Sequence, residues 1–320
     1  MHTKLILVEG MPGSGKSSTA QFLCDQLQRS GLKSRWYYEQ ESAHPVALRY
    51  DLTIHKTPTD YFSDCLAAWR SFVSQAMQSD EVRIFDAAFF DPRGGPIEVP
   101  LIRTYIHELE KVCQCLDPVL LYFFQSNYSQ TMRRICNQRG EHLERFYIEE
   151  VEQSLFGKRR GLRGFDGLVR FWEEHAAMEE RIIEELDITK LSINNSKGEW
   201  SSHYRQICDF LSVPFSAPYA PSEDYLSRFV GTYTYLHKET VRVFTIRLEN
   251  GDLVLLNNYD FPWLWPSNRL IPKEDKVFYI ASFPFEMTFE EDSMGVIRSM
   301  RGENPPGNWN ILDQVFPKVR

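Results

Sequence analysis

The stretch KLILVEGMPGSGKSSTAQFL, residues 4–23, decides the fold. Its apolar start reads as a buried strand over 4–9. Its end reads as a helix over 16–29, with Ala20, Phe22, Leu23 and Leu27 on or near one face. Between them, Gly10-Met-Pro-Gly-Ser-Gly15-Lys16-Ser17 matches the pattern G-x-x-x-x-G-K-[ST] in full. Glycines let consecutive backbone N–H groups turn inward around a phosphate, and the helix N-terminus adds its partial positive charge. In this pattern Gly10, Gly13, Ser14, Gly15, Lys16, Ser17 and Ser18 hold a nucleoside triphosphate. Lys16 reaches the β- and γ-phosphates, and the Ser17 hydroxyl ligates Mg²⁺.

Outward from this turn, strands alternate with helices. Further strands are predicted over 34–41, 81–90, 117–125 and 188–195, and helices over 57–79, 98–116, 128–139 and 200–212. A charged region to about residue 164 leads into a long helix ending at Leu186. This order predicts an α/β P-loop NTPase fold, a parallel five-stranded sheet with flanking helices, over 1–213. Three prolines mark a linker over 214–224. Residues 225–320 then read as a small antiparallel β domain, with Glu249-Asn250-Gly251-Asp252 as a hairpin turn.

Bulk composition narrows the function. Two domains suit 320 residues, and a net charge of −8 argues against a surface for nucleic acid polymers. The six cysteines form no paired framework and no Cys-x-x-Cys, so reduced thiols are expected. No apolar stretch approaches membrane-spanning length, and the chain runs straight into a strand without room for a secretion signal. A cytoplasmic protein is expected, and nothing in the sequence assigns an oligomeric state.

Asp86 ends the run VRIF. A carboxylate at the tip of a neighbouring strand orients Mg²⁺ or activates an acceptor; the alternative is a turn cap. Glu39 and Glu41 end RWYYEQE and are candidates for the base that takes a proton from an acceptor hydroxyl, or are solvated loop carboxylates. His44 follows in a loop, as a substrate contact or a structural histidine. The segment TMRRICNQRG with GKRRGLRG supplies arginines that can meet charge on transferring oxygens and a flap that excludes water. Arg134 and Arg139 are the first choices, and the glutamates among them also fit an ion-pair-laced solvated helix. Asn194 and Asn195, after the fifth strand, are candidates for the nucleotide base.

Together, GMPGSGKSS, YYEQE, IFDAAFF and TMRRICNQRG resemble the P-loop kinase group that includes nucleoside and nucleotide kinases. The last phrase resembles the start of the arginine-bearing lid of deoxynucleoside kinases. Such kinases use a carboxylate at the tip of the second strand as base, which the resemblance carries onto Glu39 or Glu41. It covers about residues 1–213. Deoxynucleoside kinases carry an acidic-Arg pair at the third strand tip, whereas Asp86 here is followed by Ala87, and DPRGGPIEVP over 91–100 departs from their pattern. The first domain is closer to little-described bacterial P-loop proteins of the EGxPGSGKS type. The phrase FVGTYTYL resembles small β modules appended to some hydrolases; Gly231 and Tyr233 also fit a turn glycine and a core aromatic.

The reading that follows is an ATP- and Mg²⁺-dependent kinase of a small molecule: a nucleoside, a sugar or an antibiotic-like metabolite. The alternative is a nucleotide-gated switch with slow hydrolysis, whose β domain recognises a protein. A fold that binds nucleotide without chemistry ranks last, because Lys16, Ser17 and Asp86 are all present.

Overall fold

The computed structural model describes residues 2–39, 41, 44–48, 57–90, 99–237, 240–257, 265–303 and 315–319. The chain divides into two compact units, Met1–Asn137 with Glu141–Phe215, and Gln138–Gly140 with Ser216–Arg320.

The first unit alternates strands and helices. It runs β1 (Leu5–Gly10), α1 (Lys16–Arg29), β2 (Ser34–Tyr37), α2 (Pro58–Ala76), β3 (Val82–Asp86), α3 (Val99–Cys113) and, after a 3₁₀ turn, β4 (Val119–Phe124). It continues with α4 (Tyr128–Arg139), α5 (Glu141–Gln153), α6 (Leu155–Arg160), α7 (Gly164–Glu185), β5 (Thr189–Asn194) and α8 (Trp200–Leu211). The sheet order is β2-β3-β1-β4-β5, every pair parallel. β1 is central, and the chain departs from it to both sides, which makes the carboxyl ends of β1 and β3 a ligand crevice.

The strands are apolar on both faces because helices cover both. Leu5, Leu7, Phe85, Leu120 and Tyr122 join one cluster with α2, α3 and α7 through Trp69, Phe72, Ile106, Leu109 and Ile182. The alternate residues Ile6, Val8, Ile84, Leu121 and Phe123 are also buried, as are Ala20, Leu23 and Leu27 of α1 and Ile207 and Leu211 of α8. α2 starts on a reciprocal cap. Thr57 Oγ1 accepts from Asp60 N at 3.1 Å, and the Asp60 carboxylate accepts from Thr57 N at 2.9 Å, with Pro58 in the first turn.

Strands β2 to β5 are all shorter than the sequence predicts, β2 and β3 by about half. β2 stops at Tyr37, so Glu39 lies in the turn beyond it. β3 stops at Asp86, because Ala87 and Ala88 take φ of 53° and 140° and turn the chain out of the ladder. The charged region after Arg139 forms α5 and α6. They are stitched by Val151, Leu162, Leu168 and Val169 into a cluster that also holds Met132, Ile135 and Met11. The segment 91–98, where the chain departs from the deoxynucleoside kinase pattern, lies outside the described residues.

The second unit begins with α9 (Glu223–Ser227). Eight antiparallel strands follow: β6 (Gly231–His237), β7 (Thr240–Glu249), β8 (Asp252–Asn257), β9 (Ser267–Glu274), β10 (Val277–Ile280), β11 (Glu286–Glu291), β12 (Ile297–Glu303) and β13 (Val315–Pro317). Each pairs with its sequence neighbour. The meander closes on itself: Lys318 bridges Tyr233, and Val319 N donates to Thr232 O at 2.7 Å. Phe244, Ile246, Leu253, Leu255, Leu270, Phe278, Met287, Phe289, Met300 and Phe316 fill the interior. The β7–β8 hairpin turns on Asn250 and Gly251, with φ of 52° and 82°.

The phrase Phe229-Val-Gly-Thr-Tyr233 has a structural job in this barrel. Phe229 packs between Phe278 and Phe289, with ring centroids at 4.9 and 4.8 Å. The buried Tyr233 hydroxyl donates to Phe229 O at 2.7 Å. Gly231 stands where an added Cβ would meet Lys318 Cε at 2.3 Å, so a larger residue there would displace the Lys318 side chain. All six cysteines are free thiols. Among the described residues, no helix is long and apolar enough to cross a membrane.

Candidate nucleotide site

The turn from β1 to α1 leaves the helix N-terminus without a side-chain cap. Gly10, Gly13 and Gly15 have φ of 136°, 69° and 104°. Gly15 is the N-cap of α1, so no side chain caps that end, and the first turn carries no acidic residue. The first N–H groups of the helix therefore face the turn without a carboxylate competing for them. Lys16 is buried and folds its ammonium back over the loop, donating to Gly10 O at 2.8 Å and Met11 O at 3.2 Å. Ser17 and Ser18 follow in the first turn, half-buried.

The loop is braced from two sides. Asn195 is buried, and its Nδ2 donates to Ser14 O at 2.7 Å. Gln125 Nε2 donates to Asn195 O at 3.2 Å, and Thr131 Oγ1 of α4 donates to Gln125 Oε1 at 3.3 Å. Ser14 Oγ and Asn195 Oδ1 are buried without a hydrogen-bond partner among the described residues, and each can serve a bound ligand. On the other side, the Trp200 ring packs on Gly15: a Cβ there would fall 1.9 Å from Trp200 Cη2. Trp200 is steadied by Tyr204 at 5.5 Å, and Tyr204 stacks on Phe22 of α1 at 3.9 Å. Asn194 Nδ2 instead donates to Ser126 Oγ at 2.9 Å.

This bracing makes a test. Asn195→Ala removes the bond from the Asn195 side chain to Ser14 O, a buried carbonyl contact of about 1–2 kcal/mol. ADP affinity should fall about 5- to 30-fold by titration calorimetry. An unchanged affinity would show that the loop keeps its shape without Asn195.

The carboxylates separate. Asp86 is fully buried at the tip of β3, in register with Val8, and the β1–β3 ladder delivers it beside the loop. Glu39 lies past the end of β2, one strand farther out, because β2 pairs with β3. Glu41 forms an ion pair with Arg35 at 2.7 Å. Burial raises its carboxyl above the ordinary range, and the guanidinium opposes that shift. His44 Nδ1 accepts from Val46 N at 3.3 Å and Ala47 N at 2.9 Å, which places its ring proton on Nε2 and gives it a structural task.

The arginines sort in the same way. Arg133 lies over Phe165 at 4.3 Å, Arg163 pairs with Glu152 at 3.6 Å, and Arg160 pairs with Glu174. Arg134 is exposed on α4, and Arg139 closes that helix before Gly140 at φ 93°. α4 itself is tied to the loop: Met132 and Ile135 pack in one cluster with Met11.

Two participants were not singled out by sequence reasoning. Glu9, the residue before Gly10, is buried and accepts from Phe89 N at 2.8 Å. Trp200 opens α8 against the loop. Glu9 sits inside an apolar strand, and a carboxylate there with a glycine behind it was the available signal. Trp200 carried none beyond its size.

No family model matches the sequence. It is 28% identical over 163 residues to a thymidylate kinase of Brachyspira hyodysenteriae (strain ATCC 49526 / WA1), covering 48% of this chain and 79% of that relative. Among solved structures it is similar to the YorR protein of Bacillus subtilis in complex with phosphorylated GDP, at 10% identity and TM-score 0.35, over 65% of this chain and 95% of that one. It is also similar to Chaetomium thermophilum Kti12 in complex with ADP-AlF3, at 14% identity and TM-score 0.31, over 64% and 97%.

Proposed function

We propose, from the premise that the first unit is a P-loop fold of the kinase-like group, that the protein is an ATP-dependent phosphotransferase acting on a hydroxyl or phosphate oxygen of a small molecule. One observation carries this reading: a glycine-built loop at an uncapped helix N-terminus, with Lys16 folded over it and the Asp86 strand paired beside it. Backbone N–H groups from Gly13 to Ser18 hold the polyphosphate. The Lys16 ammonium exchanges its carbonyl partners for phosphate oxygens, and Arg134 and Arg139 are the lid candidates for the transferring group. Asn195 and Trp200 keep the loop in the shape that binds.

The residues fit Mg²⁺. Ser17 offers a hydroxyl and Asp86 a carboxylate, the hard oxygen donors this ion takes. Among the described residues no group of three His, Cys, Asp or Glu could hold an ion, so protein alone does not complete a shell there. The ion is expected to come with the nucleotide and to neutralise charge on its β- and γ-oxygens. Where the acceptor is a hydroxyl, either Glu39 or Asp86 takes its proton.

The thymidylate kinase relative makes a nucleoside monophosphate the first acceptor to test. ADP release with ATP and Mg²⁺ should rise at least about tenfold when the right member of a panel of thymidylate, nucleosides and sugars is added, with a phosphorylated product by mass spectrometry. Slow hydrolysis indifferent to every acceptor would move the assignment to a nucleotide-gated switch.

A further inference from the structure

β1 holds the segment after Asp86 at two consecutive residues. Val8 O accepts from Ala87 N at 3.0 Å, the last rung of the β1–β3 ladder. Glu9 Oε1 then accepts from Phe89 N at 2.8 Å. Between these points lie Ala87 and Ala88, at φ of 53° and 140°. Residues with a Cβ avoid those regions, and such strain persists only where the surroundings over-determine it. Glu9 is 2% exposed, and an ionised carboxylate at that burial needs hydrogen-bond donors. Phe89 and Phe90 are buried as well, with their rings edge to face at 5.1 Å.

We infer that Glu9 is a positioning residue for the metal–phosphate site: it clamps the strained Ala87–Ala88 turn and thereby fixes Asp86 toward the loop that Glu9 itself precedes. The inference rests on the phosphotransferase reading, because it gives Asp86 a metal to orient. Glu9 couples the two carboxyl-terminal strand ends, so a shift of the turn would be felt at Asp86 before it is felt at the glycine loop.

The experiment compares Glu9→Gln, which keeps an acceptor oxygen, with Glu9→Met, which fills the same space without one. Hydrogen exchange of the Phe89 amide should accelerate at least about 100-fold in Glu9→Met and stay within about fivefold of wild type in Glu9→Gln. ADP affinity is measured in Mg²⁺ and in EDTA. Glu9→Met should lose about tenfold in the Mg²⁺-dependent part and less than about twofold in EDTA. Adding Ala88→Gly to Glu9→Met should recover part of the loss, because glycine adopts that φ without strain. Equal losses in both media, or none in either, would overturn the inference while leaving nucleotide binding intact. A wild-type protein that binds no ADP would overturn the phosphotransferase reading and this inference together. If Glu9→Met does not fold, Ala88→Gly alone decides, since it frees the turn that Glu9 clamps: faster Phe89 exchange with an unchanged Mg²⁺ dependence overturns the coupling, and faster exchange with a changed Mg²⁺-dependent affinity and an unchanged affinity in EDTA supports it.

Discussion

Lys16→Ala should lower the rate of phosphoryl transfer by about two to three orders of magnitude, with the fold still in place. Lys16 is 8% exposed as a residue, and its ammonium rests on Gly10 O at 2.8 Å and Met11 O at 3.2 Å. Those carbonyls are neutral dipoles, so a γ-phosphate carrying full negative charge is the stronger partner and takes the cation from them. Little water reaches the group, so the attraction to charge gathering on the transferring oxygens is only weakly screened. Losing one such donor typically costs about 3–4 kcal/mol at the transition state. The check is a coupled ADP-release assay beside ADP calorimetry. kcat should fall far more than affinity, and the melting temperature should move little. A loss of less than tenfold would mean that another cation meets the γ-phosphate.

Gly15→Ala should nearly abolish nucleotide binding, by at least about 100-fold in ADP affinity. Two separate costs meet at this position. Its φ of 104° is one that a residue with a Cβ rarely adopts. The new methyl would also lie 1.9 Å from Trp200 Cη2, and 2.8 Å from two further ring atoms. The indole has little room to retreat, since Tyr204 and Phe123 pack on it at 5.5 and 6.4 Å. The variant must shift the start of α8 or distort the first turn of α1, where the phosphate donors are. Pairing Gly15→Ala with Trp200→Ala separates the two costs: the collision goes and the backbone strain stays. Partial recovery of ADP binding is expected in the double variant. Full binding by Gly15→Ala alone would mean that the loop does not hold the phosphates in the arrangement described.

The sequence carried the first unit well because its signals are local. Strand, glycine turn and helix lie within residues 4–29, and the unbroken apolar run of β4 marks a strand covered on both faces. The segment between Arg139 and Gly164 shows only its charge in the sequence, since α5 buries Val151 alone and its other positions hide the helical period. The site was legible where one motif holds it and not where distant segments meet. Nothing near Glu9 announces Phe89, eighty residues away, and nothing near Ser14 announces Asn195. The sequence predicts Asn195 as a contact to the base; its Nδ2 donates to the loop carbonyl of Ser14, and its Oδ1 is the atom left for a ligand. Barrel closure was out of reach for the same reason, because its bridge joins Tyr233 to Lys318.

That bridge also orders events during synthesis. Every strand of the nucleotide-binding sheet has been made once Asn194 has been added, so this unit can fold while translation continues. The ring of the second unit waits for residues 315–319, and until they leave the ribosome β6 and β12 remain open edges. Slow translation between β6 and residue 319 would therefore lengthen the exposure of this unit to misassembly while sparing the other.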